Sequence, residues 1–354
     1  MHHSTRRFFH YQQTVLDAVQ ETCERLSHRF CRVEDPNSIR TDAKALVANA
    51  LQLKLASGND VFIYGKRKLT ALEAARLNVS VAQRAMGKPL AYIIGKKEFW
   101  SMEFFVTEHT LIPRSDSEVL IDTLVERFHP QAPLQILDIG TGTGCLLLSA
   151  LSAFPRSTGV GIDVSPGALD VAKRNACFHN LNERAEFFRR DLEMLPRLQN
   201  EDKVMYKRFD VILCNPPYIP RQELHLVAPD VLEYEPHLAL FSDGGHKSQD
   251  WRVDPDGLRM YRSLHESVGN LFRSNTEKKC DTAHNRDRVA KGTCLLLEVG
   301  SEKQAQAVQT LFAGKITPGG AQNTLNNKPQ LQFECFLFDA RRKYRGLCFT
   351  GSTS

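Results

Sequence analysis

The sequence predicts an α/β fold, in which a mostly parallel sheet flanked by helices follows a separate helical region. Short apolar runs alternate with helix-like stretches from about residue 134 onwards, which is typical of a parallel sheet. Glycine, aspartate or asparagine stands at or just beyond the end of four of these runs, where open α/β sheets hold their ligands. Before about residue 95, apolar residues recur at helical spacing instead.

Two series of apolar residues predict helices in the N-terminal region. They are Val15, Leu16, Val19, Cys23 and Leu26, and then Leu46, Ala50 and Leu53. Thr41 precedes the second series and is predicted to cap its helix.

A third helix is predicted from its cap. Thr70 and Glu73 form a capping box that opens a helix running to Met86, and Gly87 is its predicted stop. The aromatic-rich segment 98–106 then alternates enough to predict a strand pair or hairpin that links this region to the sheet.

The first predicted sheet strand, residues 134–138, runs into a glycine-rich turn. Glycines alternate with threonines from Gly140 to Gly144, and an apolar helix-like stretch follows. Such glycines allow a tight turn and a close ligand approach, and the helix start offers free amide groups. The spacing differs from the dinucleotide fingerprint, and the Asp138 carboxylate would repel phosphate but attract an ammonium or sulfonium. The pattern argues against NAD and favours S-adenosylmethionine.

The next two predicted strands also end near acids. Residues 158–163 finish at Asp163, roughly 20 residues beyond the glycines, where such folds bind ribose hydroxyls. Ser165 and a proline start the following helix, and the strand at 185–188 leads to Asp191 and Leu192, within reach of an adenine. A strand-terminal aspartate is often only a cap or a turn former, but acids at successive strand ends favour a ligand site.

The fourth predicted strand, residues 209–214, ends at the tetrapeptide Asn215-Pro216-Pro217-Tyr218. A residue before proline is held extended, so the Asn215 side chain is expected beyond the sheet edge. Its carboxamide oxygen and the Pro216 carbonyl then converge as two acceptors beside the ring of Tyr218. Such a pocket suits a planar NH₂ group, although a proline-rich turn is the commoner fate of a Pro-Pro pair.

The remaining strands are predicted at 293–299, 330–337 and 346–350. Polar stretches at 244–253, 273–292 and 314–328 interrupt the pattern and are expected to be extended surface loops. The basic cluster at 341–345 is expected in a solvated turn between the last two strands.

Composition limits the other function classes. The length of 354 residues predicts two domains, and no apolar run approaches the roughly 18 residues of a membrane helix. Nine cysteines without a Cys-x-x-Cys pair favour reduced thiols, and Cys145 and Cys214 are expected to be small buried hydrophobes. The twelve histidines show no ligand spacing, so no metal is predicted. A net charge of +5 does not by itself indicate nucleic-acid binding.

The strand-end residues resemble those of class I S-adenosylmethionine-dependent methyltransferases. Upstream and downstream segments narrow the resemblance to the PrmC/HemK family, which methylates the glutamine of the Gly-Gly-Gln motif in peptide chain release factors. The matching segments are Arg84, 87–93, Gly95, 98–100, 111–118, 234–236, 239–240 and 256–258. Two departures are Ser115, where the family usually has proline, and Leu192, where some members carry an aromatic residue beside the adenine.

The resemblance implies a seven-stranded, mostly parallel Rossmann-like methyltransferase sheet with a small N-terminal helical domain and a linking β-hairpin. The implied domains are a helical substrate-recognition domain at 1–95, a hairpin linker at 96–112 and a methyltransferase domain at 113–354. The expected activity is methyl transfer from S-adenosyl-L-methionine to the glutamine N5 of class 1 release factors. The chain is expected to be a monomer that contacts no membrane and binds no nucleic acid in a sequence-specific way.

The implied site residues fall into three groups. The cofactor-binding residues are Asp138, Gly140, Thr141, Gly142, Thr143, Gly144, Asp163, Asp191, Leu192 and Asn215. The catalytic residues are Asn215, Pro216 and Tyr218, and these bind the substrate together with Pro217.

Two other functions remain open on the sequence. Adenine amino-methyltransferases of DNA or RNA share the Asn-Pro-Pro-aromatic pocket, because both targets present a planar NH₂ group. The second is a non-catalytic binding protein built on a methyltransferase scaffold. Loss of activity should erode the glycines or Asn215, and both are intact. The expected location is the cytoplasm, with the mitochondrial matrix second because Arg6, Arg7, Phe8 and Phe9 precede the first acid, Asp17.

Overall fold

A computed structural model describes residues 9, 11–30, 36–53, 60–197, 209–243, 254–269, 271–272, 292–313 and 331–351. The chain divides into two compact units, Met1–Lys96 and Lys97–Ser354. The polar stretches predicted at 244–253, 273–292 and 314–328 lie outside the described residues, except for Gly292, as do Arg6, Arg7 and Phe8.

The first unit is helical, as the sequence predicts. Its helices are α1 (Val15–Phe30), α2 (Pro36–Ala50), α3 (Ala71–Ala85) and α4 (Leu90–Ile94), with a 3-10 helix at Asp60–Tyr64. Buried apolar residues of α1, α2 and α3 form one core, which includes Leu26, Leu46 and Leu77. Inside this unit the Arg84 guanidinium pairs with the Asp42 carboxylate at 2.6 Å, and both residues are buried.

The capping box of α3 is confirmed. The Thr70 hydroxyl accepts a hydrogen bond from the Glu73 amide at 3.2 Å, and the Glu73 carboxylate accepts one from the Thr70 amide at 2.8 Å. The helix stops before Gly87, whose φ of +105° is a conformation that glycine adopts without strain.

The prediction that Thr41 caps the second helix is wrong. Helix α2 begins at Pro36. Proline is favourable at the first position of a helix, because the amide hydrogen that it lacks would have no partner within the helix there. Thr41 therefore lies inside the helix, where its hydroxyl donates to the carbonyl of Asn37 at 2.9 Å.

The second unit contains a two-stranded sheet and a seven-stranded sheet. The two-stranded sheet joins β1 (Lys96–Phe99) to β2 (Met102–Phe105) through Trp100 and Ser101, which both have positive φ, so the predicted hairpin is confirmed. The strands of the larger sheet are β3 (Gln135–Ile139), β4 (Thr158–Asp163), β5 (Ala185–Arg189), β6 (Val211–Cys214), β7 (Cys294–Glu298), β8 (Leu331–Phe338) and β9 (Tyr344–Gly351).

The strand order of the large sheet is β5-β4-β3-β6-β7-β9-β8. Strands β3 to β7 pair in parallel, whereas β9 runs antiparallel to both β7 and β8. This is the seven-stranded, mostly parallel sheet that the family resemblance implies. The chain winds outward from β3 to β5 and then returns to place β6 on the other side of β3, and such a reversal creates a crevice at the carboxyl ends of the strands.

Helices cover both faces of this sheet. They are α5 (Glu118–Arg127), α6 (Cys145–Ala153), α7 (Pro166–Phe178), α10 (Arg259–Val268) and α11 (Glu302–Phe312), whereas two short helices, α8 (Pro229–Tyr234) and α9 (His237–Leu240), follow β6 in the chain. Successive strand residues enter opposite cores: Ile212 packs in the core that contains Tyr261 of α10, and Leu213 in the core that contains Leu147 of α6. The strands are therefore buried on both faces, which explains their continuous apolar runs.

Throughout the described ranges, no helix combines the length and the apolar character that crossing a membrane requires.

Candidate functional site

A cavity of about 480 Å³ lies at the carboxyl ends of β3, β4 and β6, where the topology predicts a crevice. Its volume is within the range of small-molecule and cofactor sites. Ten predicted site residues line it: Gly140, Thr141, Gly142, Thr143, Asp163, Asp191, Leu192, Asn215, Pro216 and Pro217. The structure thus brings residues from four separate strand ends to one cavity.

Three predicted site residues are not among those that line the cavity. Asp138 lies behind the glycine turn, Gly144 caps α6, and Tyr218 packs beside Gly300. Their contacts, described below, support the lining residues.

The glycine turn is held against β4 by its own backbone. The amides of Gly140 and Thr141 both donate to the Ile162 carbonyl, each at 2.9 Å. Gly140, Gly142 and Gly144 have φ values of +74°, +54° and +80°, which other residues adopt only with strain. The turn needs these glycines for its conformation as well as for room beside a ligand.

Asp163 ties the glycine turn to the start of α7. One carboxylate oxygen accepts from the Gly142 amide at 2.9 Å and the other from the Ser165 amide, also at 2.9 Å. Burial raises the pKa of Asp163, and these backbone hydrogen bonds oppose that rise. An ionised carboxylate has about four acceptor positions, so Asp163 keeps acceptor capacity for a ligand hydroxyl.

Asp138 is buried beneath the turn. Its Oδ2 accepts from the Thr141 hydroxyl at 2.7 Å, whereas Oδ1 makes no hydrogen bond to any residue in the described part of the chain. Burial, with a smaller contribution from the Asp163 carboxylate, raises the pKa of Asp138 to about 7. Asp138 therefore orients Thr141 and, when it is ionised, places a negative charge close to the cavity.

Asn215 follows the last residue of β6, and its side chain has a defined orientation. Its Nδ2 donates to the Ser117 hydroxyl at 3.3 Å. The carboxamide nitrogen is engaged in this way, so the Oδ1 atom is the group of Asn215 left to accept a hydrogen bond from a ligand. This is the acceptor that the sequence predicts.

Tyr218 is held in place by hydrogen bonds to its hydroxyl and to its backbone carbonyl. Its hydroxyl donates to Glu298 Oε1 at 3.4 Å, and its backbone carbonyl accepts from the Gln304 side chain at 3.0 Å. A side chain on Gly300 would lie 2.8 Å from the ring, so only glycine fits there. Burial raises the pKa of Tyr218 above its ordinary value, with the Glu298 carboxylate adding to the effect.

The sequence reasoning missed an ion pair at the cavity. Arg114 lines the cavity and donates to Glu235 Oε1 at 2.5 Å, and Glu235 Oε2 accepts from the Ile112 amide at 3.0 Å. Glu235 is buried, so it anchors the segment that leads to Ser117. Both segments are part of the family resemblance, but nothing in their spacing shows that they meet.

Ser117 and Glu298 were missed as well. Ser117 is a buried cavity residue at the end of the 3-10 helix Ser115–Ser117, which begins at the serine that replaces the family's usual proline. Glu298 looks like an ordinary strand end in the sequence. Both residues are far from Asn215 in the chain, so their relation to it is visible only in the folded structure.

Other cavity residues lie along the predicted adenine side and the opposite rim. They include His109, Ser165, Arg190, Glu193, Leu238 and Met260. Cys214 is buried as predicted, whereas Cys145 is partly exposed, and both residues line the cavity. Among the described residues, no three His, Cys, Asp or Glu side chains are grouped as metal ligands would be.

Comparison with known proteins identifies two matching families. Residues 17–95 match the PrmC N-terminal domain, and residues 131–287 match a methyltransferase domain. A protein named release factor glutamine methyltransferase from Bradyrhizobium diazoefficiens is 34% identical over 274 residues, which cover 77% of this chain and 78% of that protein.

Two more relatives carry the same name. The one from Caulobacter vibrioides is 33% identical over 74% of this chain and 79% of its own length. The one from Geobacter sulfurreducens is 36% identical over 64% of this chain and 70% of its own length.

Proposed function

From the premise that this chain belongs to the release factor glutamine methyltransferase family, we propose how its cavity carries out the reaction. The enzyme methylates the side-chain amide nitrogen, N5, of the glutamine in the GGQ motif of peptide chain release factors. We propose S-adenosyl-L-methionine as the methyl donor and class 1 release factors as the partners. The expected cytoplasmic location and monomeric state remain predictions.

One observation carries the proposal. The glycine turn and Asp163 line the same cavity as Asn215 and Pro216, so the predicted donor site and the predicted amide site are adjacent. A methyl transfer requires this adjacency, because the nitrogen must lie in line with the methyl group that it attacks.

The residues present suit S-adenosylmethionine. Asp163 has acceptor capacity for a ribose hydroxyl, and Asp191 and Leu192 border the predicted adenine position. The buried Asp138 supplies negative charge behind the turn, which favours a cationic ligand and disfavours a phosphate. When bound, this cofactor supplies an electrophilic methyl group.

The chain itself holds and polarises the glutamine amide. Asn215 Oδ1 and the Pro216 carbonyl accept the two N–H hydrogens of the amide and fix its nitrogen in place. An amide nitrogen is a weak nucleophile, and positive charge develops on it as the new N–C bond forms. Its N–H groups then become stronger donors, so both hydrogen bonds strengthen in the transition state and raise the rate. After the bond has formed, one N–H proton passes to solvent water, which leaves a neutral methylated amide.

The proposal is tested with a methyl-labelled donor and three acceptors: a release factor, the same factor with its motif glutamine changed to alanine, and duplex DNA. Label is expected on the unmodified release factor alone. Label on DNA, or on the factor that lacks the glutamine, would contradict the proposal. The DNA arm addresses the adenine amino group, the other planar NH₂ that this type of pocket suits.

A further inference from the structure

Glu298 is a buried carboxylic acid at the level of the amide site. It is the last residue of β7, and only 2% of it is exposed. The parallel register sets Leu297 of β7 opposite Cys214 of β6, so Glu298 is level with Asn215 on the neighbouring strand. The mechanism described above does not use this residue.

Two hydroxyl groups face the Glu298 carboxylate. Tyr218 donates to Oε1 at 3.4 Å, and hydrogen bonding with the Ser117 side chain lowers the pKa of Glu298. The second oxygen, Oε2, is buried and has no hydrogen-bond partner among the residues that the structure describes, so an acceptor remains for the Ser117 proton. Ser117 in turn accepts from Asn215 Nδ2 at 3.3 Å.

We propose that Glu298 is a positioning residue, which acts through Ser117 to hold the Asn215 carboxamide with its oxygen towards the substrate amide. This inference rests on the proposed role of Asn215. It adds a residue that does not itself touch the substrate.

The Ser117 hydroxyl has a single proton to donate. A hydroxyl that donates to a carboxylate can only accept from its other neighbour. Asn215 must then present its NH₂ group to Ser117, which leaves Oδ1 for the substrate. If Glu298 carried a donor instead, the Ser117 proton would be free to turn towards Asn215. The carboxamide would then lose its preference for the productive orientation.

The charge state of Glu298 is sensitive to pH near neutrality. Burial raises its pKa to about 7, the nearby Asp116 carboxylate adds to this rise, and the hydroxyls of Ser117 and Tyr218 oppose it together with Arg345. The other titratable groups that face it are Tyr261, Cys214 and Cys145. The ionised form of Glu298 accepts the Ser117 proton and so maintains the hydrogen bonds that orient Asn215. Turnover is therefore expected to be highest above about pH 7 and to fall at lower pH as Glu298 becomes protonated.

The test measures turnover and cofactor affinity of Glu298→Gln, which preserves shape but introduces an NH₂ donor. We expect turnover at pH 8 to fall by about 10- to 100-fold with unchanged affinity for S-adenosylmethionine. The decline of wild-type turnover below pH 7 should shrink in the variant. Asp138 also titrates near pH 7, so the part of the profile that disappears in the variant is the part that belongs to Glu298.

Ser117→Ala tests the same network without changing the buried acid. We expect a similar loss of turnover and a similar loss of pH dependence. The double variant should lose no more than the larger single loss, because both changes break one chain of hydrogen bonds. This variant carries the test if Glu298→Gln does not fold.

The matched control is Glu302→Gln, on the exposed first turn of α11, which should retain wild-type turnover and pH dependence. Asn215→Ala is measured in parallel. If Asn215→Ala stays active, the proposed amide site is wrong. If it is inactive while Glu298→Gln or Ser117→Ala keeps the wild-type rate and pH profile, or if their losses multiply in the double variant, the positioning role is overturned.

Discussion

At the residue scale, the proposed chemistry depends on the orientation of the Asn215 side chain, whose oxygen acts together with the Pro216 carbonyl. The hydrogen bond from its Nδ2 to Ser117 reduces the freedom of the carboxamide before the substrate arrives. Preorganised acceptors of this kind need no rearrangement at the moment of reaction, and they stabilise the charge that develops in the transition state. An unrestrained asparagine at the same position would provide the same atom with a weaker effect.

The corresponding prediction is that Asn215→Ala lowers turnover by about 10²- to 10³-fold. The loss arises because the variant lacks an acceptor that strengthens in the transition state, and it is measured as methyl transfer to a release factor at saturating donor. Asn182→Ala, a surface asparagine in the same unit, is the control and should retain normal turnover. Near-normal methyl transfer by Asn215→Ala would refute the role.

At the element scale, capping geometry decides where the helices of the first unit begin. Thr70 and Glu73 satisfy each other's amides at the start of α3, whereas Thr41 lies within α2 and bonds only to a carbonyl one turn back. Two threonines of similar appearance in the sequence therefore contribute differently to folding. Their comparison separates a capping residue from an interior one.

We predict that Thr70→Ala lowers the free energy of unfolding by about 1 kcal/mol, because the Glu73 amide loses its acceptor. Thr41→Ala is the matched control and should change stability by less than about 0.5 kcal/mol, since alanine favours a helix interior. Chemical denaturation of the two variants measures both values. Equal losses would show that the capping box contributes nothing specific.

At the scale of the whole molecule, the two units carry different parts of the proposed task. Every described residue that lines the cavity belongs to the unit Lys97–Ser354. The unit Met1–Lys96 has its own apolar core, and no predicted catalytic residue lies in it. We propose that this helical unit recognises the release factor, which is the role that the sequence predicts for it.

A chain that starts at Gly95, and so retains the hairpin, is predicted to bind S-adenosylmethionine with wild-type affinity but a release factor about tenfold or more weakly. The loss follows because the remaining unit keeps the whole cavity but lacks the proposed recognition surface. Calorimetry with each ligand measures both affinities. Equal affinity of the short and full chains for the release factor would contradict this division.

The features of the fold and of the site that depend on near neighbours in the chain could be predicted from the sequence. Strand ends, the glycine turn and Asn215-Pro216 follow from alternation, turn chemistry and the restriction that proline places on its neighbour, all of which act over a few residues. Thr41 shows the limit of such patterns, since Pro36, five positions upstream, already provides a better helix start. Asp138 was found by the same local logic, but its place behind the turn depends on how α6 and β3 pack.

What the sequence by itself determined is which side chains stand at the carboxyl ends of β3, β4, β5 and β6, because those positions depend on near neighbours in the chain. The tertiary structure alone decided how they are supported. Ser117 meets Asn215 across 98 residues of chain, and Glu298 meets Tyr218 across 80. Such contacts arise only when the strands pair in register and the 111–117 segment folds back over them, and no short-range pattern records that event.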